Sequence, residues 1–371
     1  MEDLKAMGIS IAVIEVNSNR FDRLVRDLQP SIVIFDRFVS EEQFGWRVWD
    51  QCPDSLRILN MEDLHCLRKA RGDAVTQGIT FTVAHLLSSE VAKREIASIY
   101  RSDLSLVISE FEMNILQSDF KIPGSLIHYL PFMLNPVEPS TGRKRLPFDS
   151  RENFIQIGNF LHEPNLDSVM FLKKEIWPLI RKQLPDVKMN IFGAYPTRKA
   201  LELHHPESGF LIKGRVEDAK AEVAKARVCL APLRFGAGLK GKLIEAMECG
   251  TPSVTTEIGA EGINGQLPWS GVTAGHNHPE KIANAAVRLY TDPEFWLLSV
   301  KRGYEILNHR FSKKEHADLL IKKIADLQKN LHEHRINNFT GMMLKHHTMA
   351  GTKYMSRWIE AKNRVEELTG K

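Results

Sequence analysis

Cysteine is scarce in this chain of 371 residues: there are four, Cys52, Cys66, Cys229 and Cys249, with no Cys-x-x-Cys pair. Such spacing excludes a disulfide framework and a cysteine zinc site, and predicts a protein of a reducing compartment. No apolar run reaches the length of a membrane span. The opening Met1-Glu-Asp-Leu-Lys lacks the positive-then-apolar order of a signal peptide, so the expected location is cytoplasmic. The histidine pairs 204–205 and 346–347, and His276 with His278, have no carboxylate or cysteine cluster beside them, so no metal is expected. Charge of one sign is also lacking. Lys and Arg outnumber Asp and Glu by 50 to 46, and the excess is dispersed, which argues against a nucleic-acid partner.

What is present is alternation. Short β-branched runs predict strands at Ile9–Val16, Ser31–Phe35, Leu56–Leu59, Leu104–Ser109 and Ser125–Leu130, with helices over Arg20–Leu28, Glu41–Asp50 and Val83–Tyr100. Pro131 to Ser150 is rich in proline, carries an Arg-Lys-Arg run and reads as a linker. The pattern then restarts with strands at Phe154–Ile157, Val187–Phe192, Phe210–Lys213, Val228–Ala231 and Ser253–Thr256. Helices fall over Asn165–Gln183, Arg198–His204, Ala219–Ala226 and Lys242–Cys249. From Pro279 onward the chain is helical. Strands apolar on both faces and joined by helices predict an α/β protein of two Rossmann-like, doubly wound parallel-sheet domains facing a cleft. The expected division is an N-terminal domain over 1–135, a linker over 136–150, a C-terminal domain over 151–310 and C-terminal helices over 311–371.

One segment carries most of the chemistry. Ala231-Pro-Leu-Arg-Phe-Gly-Ala-Gly-Leu-Lys-Gly-Lys-Leu-Ile-Glu245 reads as a buried strand, a glycine loop and a helix start. Gly236 and Gly238 allow a tight turn and close approach of a ligand. The first amides of the helix favour an anion, and Arg234, Lys240 and Lys242 add positive charge. Glu245, one turn later, suits a ribose diol. In outline this is a site for a nucleoside diphosphate. The plainer alternative is a strand–helix connection with a Lys242–Glu245 surface ion pair. Gly236-Ala-Gly-Leu-Lys-Gly241 also spells the dinucleotide fingerprint, but an oxidoreductase would carry it in the first βαβ unit of its domain, and here it comes late.

The C-terminal half resembles the group 1 (family 4) glycosyltransferases of the GT-B fold. The resemblance runs from Gly158-Asn-Phe-Leu-His-Glu-Pro-Asn-Leu-Asp167 through Ile191-Phe-Gly193 and Gly214-Arg-Val216 to Arg234…Glu245 and Ile258-Gly-Ala-Glu-Gly-Ile263. It implies a nucleotide sugar bound by the C-terminal domain and a hydroxyl acceptor bound by the N-terminal one, with retention of configuration. Gly158, Arg215, Arg234, Gly236, Gly238, Lys240, Lys242 and Glu245 are the implied substrate-binding residues. Glu245 falls on the second glutamate of the family's E-x7-E motif. Ala237 stands where the first would be, and Asn159, His162 and Asn165 replace the usual phosphate-binding Arg and Lys. The family's opening strand and Gly-rich turn are expected to be missing, since Leu4-Lys-Ala-Met-Gly-Ile-Ser reads as a helix end entering a second strand. No Asp-x-Asp occurs, which disfavours the metal-dependent transferases of the other common fold.

In the N-terminal half, Asp63 and His65 follow the strand at 56–59 and are the catalytic candidates, able to hydrogen-bond a sugar hydroxyl or steady a departing diphosphate. Alternatively Asp63 caps a helix starting at Leu64 and His65 simply packs. Asp36 and Arg37 have similar placement, whereas Glu41 and Glu42 suit a helix start. Two other functions stay open: a catalytically degenerate nucleotide-binding relative, and a nucleotide-sugar epimerase or hydrolase of the same fold.

Overall fold

The computed structural model describes residues 2–137, 146–346 and 350–369. The Arg-Lys-Arg run at 143–145, His347 and Met349 lie outside the described residues. Two sheets, parallel throughout, organise the chain. The first has the order β1-β2-β3-β4, with β1 at Ile32–Asp36, β2 at Leu56–Asn60, β3 at Leu104–Val107 and β4 at Ile127–Tyr129. The second has the order β10-β9-β8-β5-β6-β7. Its strands are β5 (Glu152–Ile157), β6 (Met189–Phe192), β7 (Phe210–Gly214), β8 (Ala226–Ala231), β9 (Ser253–Thr256) and β10 (Gly271–Ala274). Both sheets have the α/β character that two-sided apolar strands dictate. No described helix is long and apolar enough to cross a membrane.

Most elements fall where the periodicity puts them. The strand expected at Ile9–Val16 does not form: the segment runs without regular structure, and Val13 is 90% exposed. An alternating pattern becomes a strand only beside a partner that takes its N–H and C=O groups, and this segment pairs with neither edge of the four-stranded sheet. Strand β1 is accordingly an edge, with Ile34 59% exposed. The single helix expected over Val83–Tyr100 is two, Val83–Leu87 and Glu90–Arg101. They divide at Ser88-Ser89, where the Ser88 hydroxyl bonds the His85 carbonyl. The helix from Glu163 to Gln183 widens over Leu172–Ile176, just before Pro178, whose ring displaces the preceding turn. Strand β10 was unmarked in sequence because it is a short edge strand with little apolar content.

The C-terminal helices do not extend away from the molecule. The chain crosses back at Leu134 and Phe311–Lys313, where backbone bonds of 2.7 and 2.9 Å join the two crossings. The helix Lys313–Lys329 then lays Leu320, Ile324 and Leu327 on Leu56, Ile58, Leu104 and Leu106 of the first sheet. Beyond it, Arg335 donates to both carboxylate oxygens of Asp103 at 2.8 Å. In the last helix, Ala350–Thr369, Ser356 and Glu360 meet Arg47, which is only 1% exposed.

Candidate active site

The glycine loop leaves β8 under firm control. Thr255 and Thr256 donate their hydroxyls to the carbonyls of Ala231 and Leu233. Gly238 sits at φ +63°, a conformation that L side chains rarely adopt, and the helix Gly241–Glu248 follows. The N–H groups of Leu239, Lys240, Gly241 and Lys242 have no partner among the described residues, so four adjacent donors stand at the positive end of this helix. Lys240 folds back to donate to the Gly238 carbonyl at 2.9 Å, and Lys242 donates to Asn165 Oδ1 at 2.6 Å. Burial pushes both ammonium groups down to about 8. Gly158, at the end of β5, makes room for the second contact: a Cβ there would lie 3.0 Å from Lys242 Nζ.

Lys242 therefore does not pair with Glu245. The Glu245 carboxylate is half-buried without a side-chain partner among the described residues, and burial raises its pKa. Arg234 is held by both oxygens of Asp167 and lies 5.3 Å from the Phe171 ring centroid. Arg215 follows β7, the outer strand of its sheet, and is exposed. The loop, Gly158, Lys240 and Lys242 thus gather in one place, with Glu245 one helical turn further on near Lys220 and Asp218, while Arg234 is already neutralised and Arg215 is peripheral.

Across the cleft, β2 delivers Asp63 and His65 to the start of the helix His65–Gln77. Asp63 does not cap that helix; it pairs with Arg68 and His65. The open amides are taken by carboxylates from other helices. Glu95 accepts from the N–H of His65 at 3.0 Å and of Cys66 at 2.9 Å, while Glu112 accepts from Leu64 at 3.1 Å. His65 Nδ1 lies 3.2 Å from Asp63 Oδ1. Burial alone would lower the His65 pKa, but Glu95 and Asp63 outweigh it and hold the imidazolium above its ordinary range. A cavity of about 600 Å³ opens here, lined among others by Phe38, His65 and Arg68 on one side and Glu163, Leu166 and Phe235 on the other. Asp36 and Arg37 lie exposed at the end of β1, and Glu41 is buried in an ion pair with Arg101 at 2.6 Å.

Three residues of this interface, Arg71, Glu95 and Glu112, escaped the sequence reading. Arg71 makes a two-pronged ion pair with Glu261 at 2.8 and 2.9 Å, and Glu95 and Glu112 are each only 1% exposed. The available signal was an acidic run, Glu110-Phe-Glu112, directly after a strand that ends at the cleft.

Two facing α/β domains built on parallel sheets, with a glycine loop at the strand ends between them, define a GT-B fold. Residues 151–292 match the family described as glycosyl transferases group 1, and the chain carries a domain of that family over them. A Klebsiella pneumoniae relative, described as an uncharacterized 44.6 kDa protein in the cps region, is 25% identical over 140 residues, 36% of this chain and 33% of its own length. Among solved structures, a glycosyltransferase from Rickettsia africae ESF-5 superposes with TM-score 0.64 at 12% identity, covering 89% of this chain and 88% of that one. Sucrose-phosphate synthase from Thermosynechococcus elongatus gives 0.61 at 18% identity over 83% and 76%. S. aureus TarM, in complex with Fondaparinux, alpha-GlcNAc-glycerol and UDP, gives 0.62 at 13% identity over 82% and 58%. The chain thus spans a third of the curated relative and somewhat over half of TarM.

Proposed function

We propose that this protein transfers a sugar from a nucleoside-diphosphate donor to a hydroxyl acceptor, without a metal ion and with retention of configuration. The observation that carries the reading is the junction of four amides, unpaired among the described residues, with Lys240 and Lys242 at one helix start. Lys240 is buried and Lys242 partly so, and the lowered pKa of each marks a poorly solvated cation that a diphosphate would stabilise. In the reaction, charge develops on the leaving diphosphate, where pre-placed amides and lysines stabilise it without reorganising. Glu245 accepts from the ribose hydroxyls, and Gly158 gives the backbone close access to the donor. His65, oriented by Asp63, faces the cavity and hydrogen-bonds a sugar hydroxyl or the departing oxygen. The complex of TarM with UDP is consistent with this class of ligand. Retention is implied by the family resemblance.

A thermal-shift series with UDP, GDP, ADP and CDP, each with and without EDTA, tests the reading. Saturation at about a hundred times Kd adds about 2.7 kcal/mol to stability, a readily measured rise in Tm. A shift with one base that EDTA leaves intact is the expected outcome. Four silent nucleotides would reject the donor assignment, and binding without sugar transfer would favour the degenerate relative.

A further inference from the structure

The glycine loop belongs in sequence to the second domain, yet four consecutive residues of it are held by the first. The Phe235 ring lies against Gly72 so closely that a Cβ there would stand 3.1 Å from it. The Gly236 carbonyl accepts from Arg71 Nη1 at 2.9 Å. Ala237 packs against the hydrophobic core of the N-terminal domain. The Gly238 N–H donates to Glu112 Oε1 at 2.6 Å. Arg71 is fixed in turn by Glu261, and its guanidinium lies near Phe81 and Phe111, with 5.6 and 5.3 Å to the ring centroids. The same Glu112 oxygen accepts from the N–H of Leu64, the residue next to Asp63 in the facing domain.

We propose that Arg71 and Glu112 are positioning residues that clamp the donor loop from the opposite domain, so that the donor site acquires its binding geometry only when the two domains are closed. The proposal rests on the donor reading above. The two side chains grip a carbonyl and an N–H two residues apart, which fixes the peptide planes at both ends of Ala237. The next amides, from Leu239 to Lys242, are the unpartnered ones, so the clamp sets the direction of the donors that face the diphosphate. Neither side chain touches the donor. They act by removing the freedom of a loop containing two glycines, which would otherwise have to be ordered at each binding event. Closure and donor capture are then one event, because the group that closes the cleft also shapes the pocket.

The test compares Glu112→Gln, Glu112→Asp and Glu112→Ala in the full chain. Glutamine presents an oxygen of the same reach to both N–H groups, whereas aspartate keeps the charge but falls short of Gly238. Titration with UDP, GDP, ADP and CDP is expected to show Glu112→Gln within about threefold of wild type, and Glu112→Asp and Glu112→Ala at least about tenfold weaker, one hydrogen bond to a charged group being worth that much or more. Nucleoside binding is unaffected throughout. Without ligand, amide exchange in 234–242 is expected to be faster in the Asp and Ala variants only. Normal binding and exchange in Glu112→Asp, or impairment in Glu112→Gln alone, would overturn the clamp. If wild type binds none of the four nucleotides the donor reading falls, and loop exchange then decides the clamp by itself. Should the alanine variant fail to fold, the Gln–Asp contrast carries the comparison.

Discussion

Gly238 and Asp63 meet across the cleft with no room for a side chain between them: a Cβ at 238 would lie 2.7 Å from the Cβ of Asp63. Position 238 also has φ +63°, so glycine is required twice, by its own backbone and by its neighbour in the other domain. Gly238→Ala is expected to lower stability by roughly 1–3 kcal/mol through strain and to loosen the closed form. Calorimetry and small-angle scattering measure the two effects. An unchanged Tm with an unchanged radius would show that the contact relaxes freely.

Lys240→Ala combined with Lys242→Ala is expected to weaken nucleoside-diphosphate binding by roughly ten- to a hundredfold, the range of charged hydrogen bonds, while leaving nucleoside binding alone. Calorimetric titration separates the two ligands, and equal losses would remove the lysines from the phosphate site. The pH dependence has a definite sign. Both ammonium groups titrate near 8 in the free protein, and the diphosphate needs them protonated, so affinity falls as pH rises through 8. The double variant should be flat over the same range.

His65→Ala is expected to reduce kcat by roughly a hundredfold, within the span of general acid–base contributions, with donor Kd within about twofold. Its raised pKa makes the imidazolium the form stabilised by folding. That stability is complete below the unfolded pKa and is lost as pH rises through the folded one. Steady-state kinetics beside donor titration provide the check, and unaltered turnover would leave His65 a packing residue.

Arg335→Ala is expected to cost about 3 kcal/mol, because Asp103, 1% exposed, would then keep, among the described residues, only Arg57 as an ion-pair partner. Although burial alone would raise the Asp103 pKa, Arg335 and Arg57 hold it well below the usual carboxylate range. Its contribution is present above the unfolded pKa and disappears as pH falls through the folded one. Acid unfolding should therefore begin at a higher pH in the variant than in wild type. Coincident acid transitions would contradict this.

The C-terminal domain was legible because its strands are apolar on both faces and its turns are marked by glycine and proline. Phe154–Ile157 and Ser253–Thr256 needed only local pattern. Ile9–Val16 misled because alternation describes what a strand wants and not whether a neighbour supplies it. The binding loop announced itself through Gly236, Gly238 and the two lysines. Its supports did not: the contacts Gly238–Glu112 and Arg71–Gly236 join residues 126 and 165 positions apart. Lys242 looked free for Glu245 at helical spacing, but Asn165, 77 positions away, took it.

The return of the chain onto its first domain also orders events during synthesis. Ser356 and Glu360, which meet Arg47, are translated 309 and 313 positions after it, and Arg335 follows its partner Asp103 by 232 positions. Until those residues leave the ribosome, the first domain holds, among the described residues, Arg47 paired with Asp22 alone, Asp103 paired with Arg57 alone, and a sheet face, Leu56 to Leu106, still waiting for Leu320, Ile324 and Leu327. The N-terminal domain is therefore completed only after the C-terminal one has been translated, and the nascent chain must stay soluble in the interval.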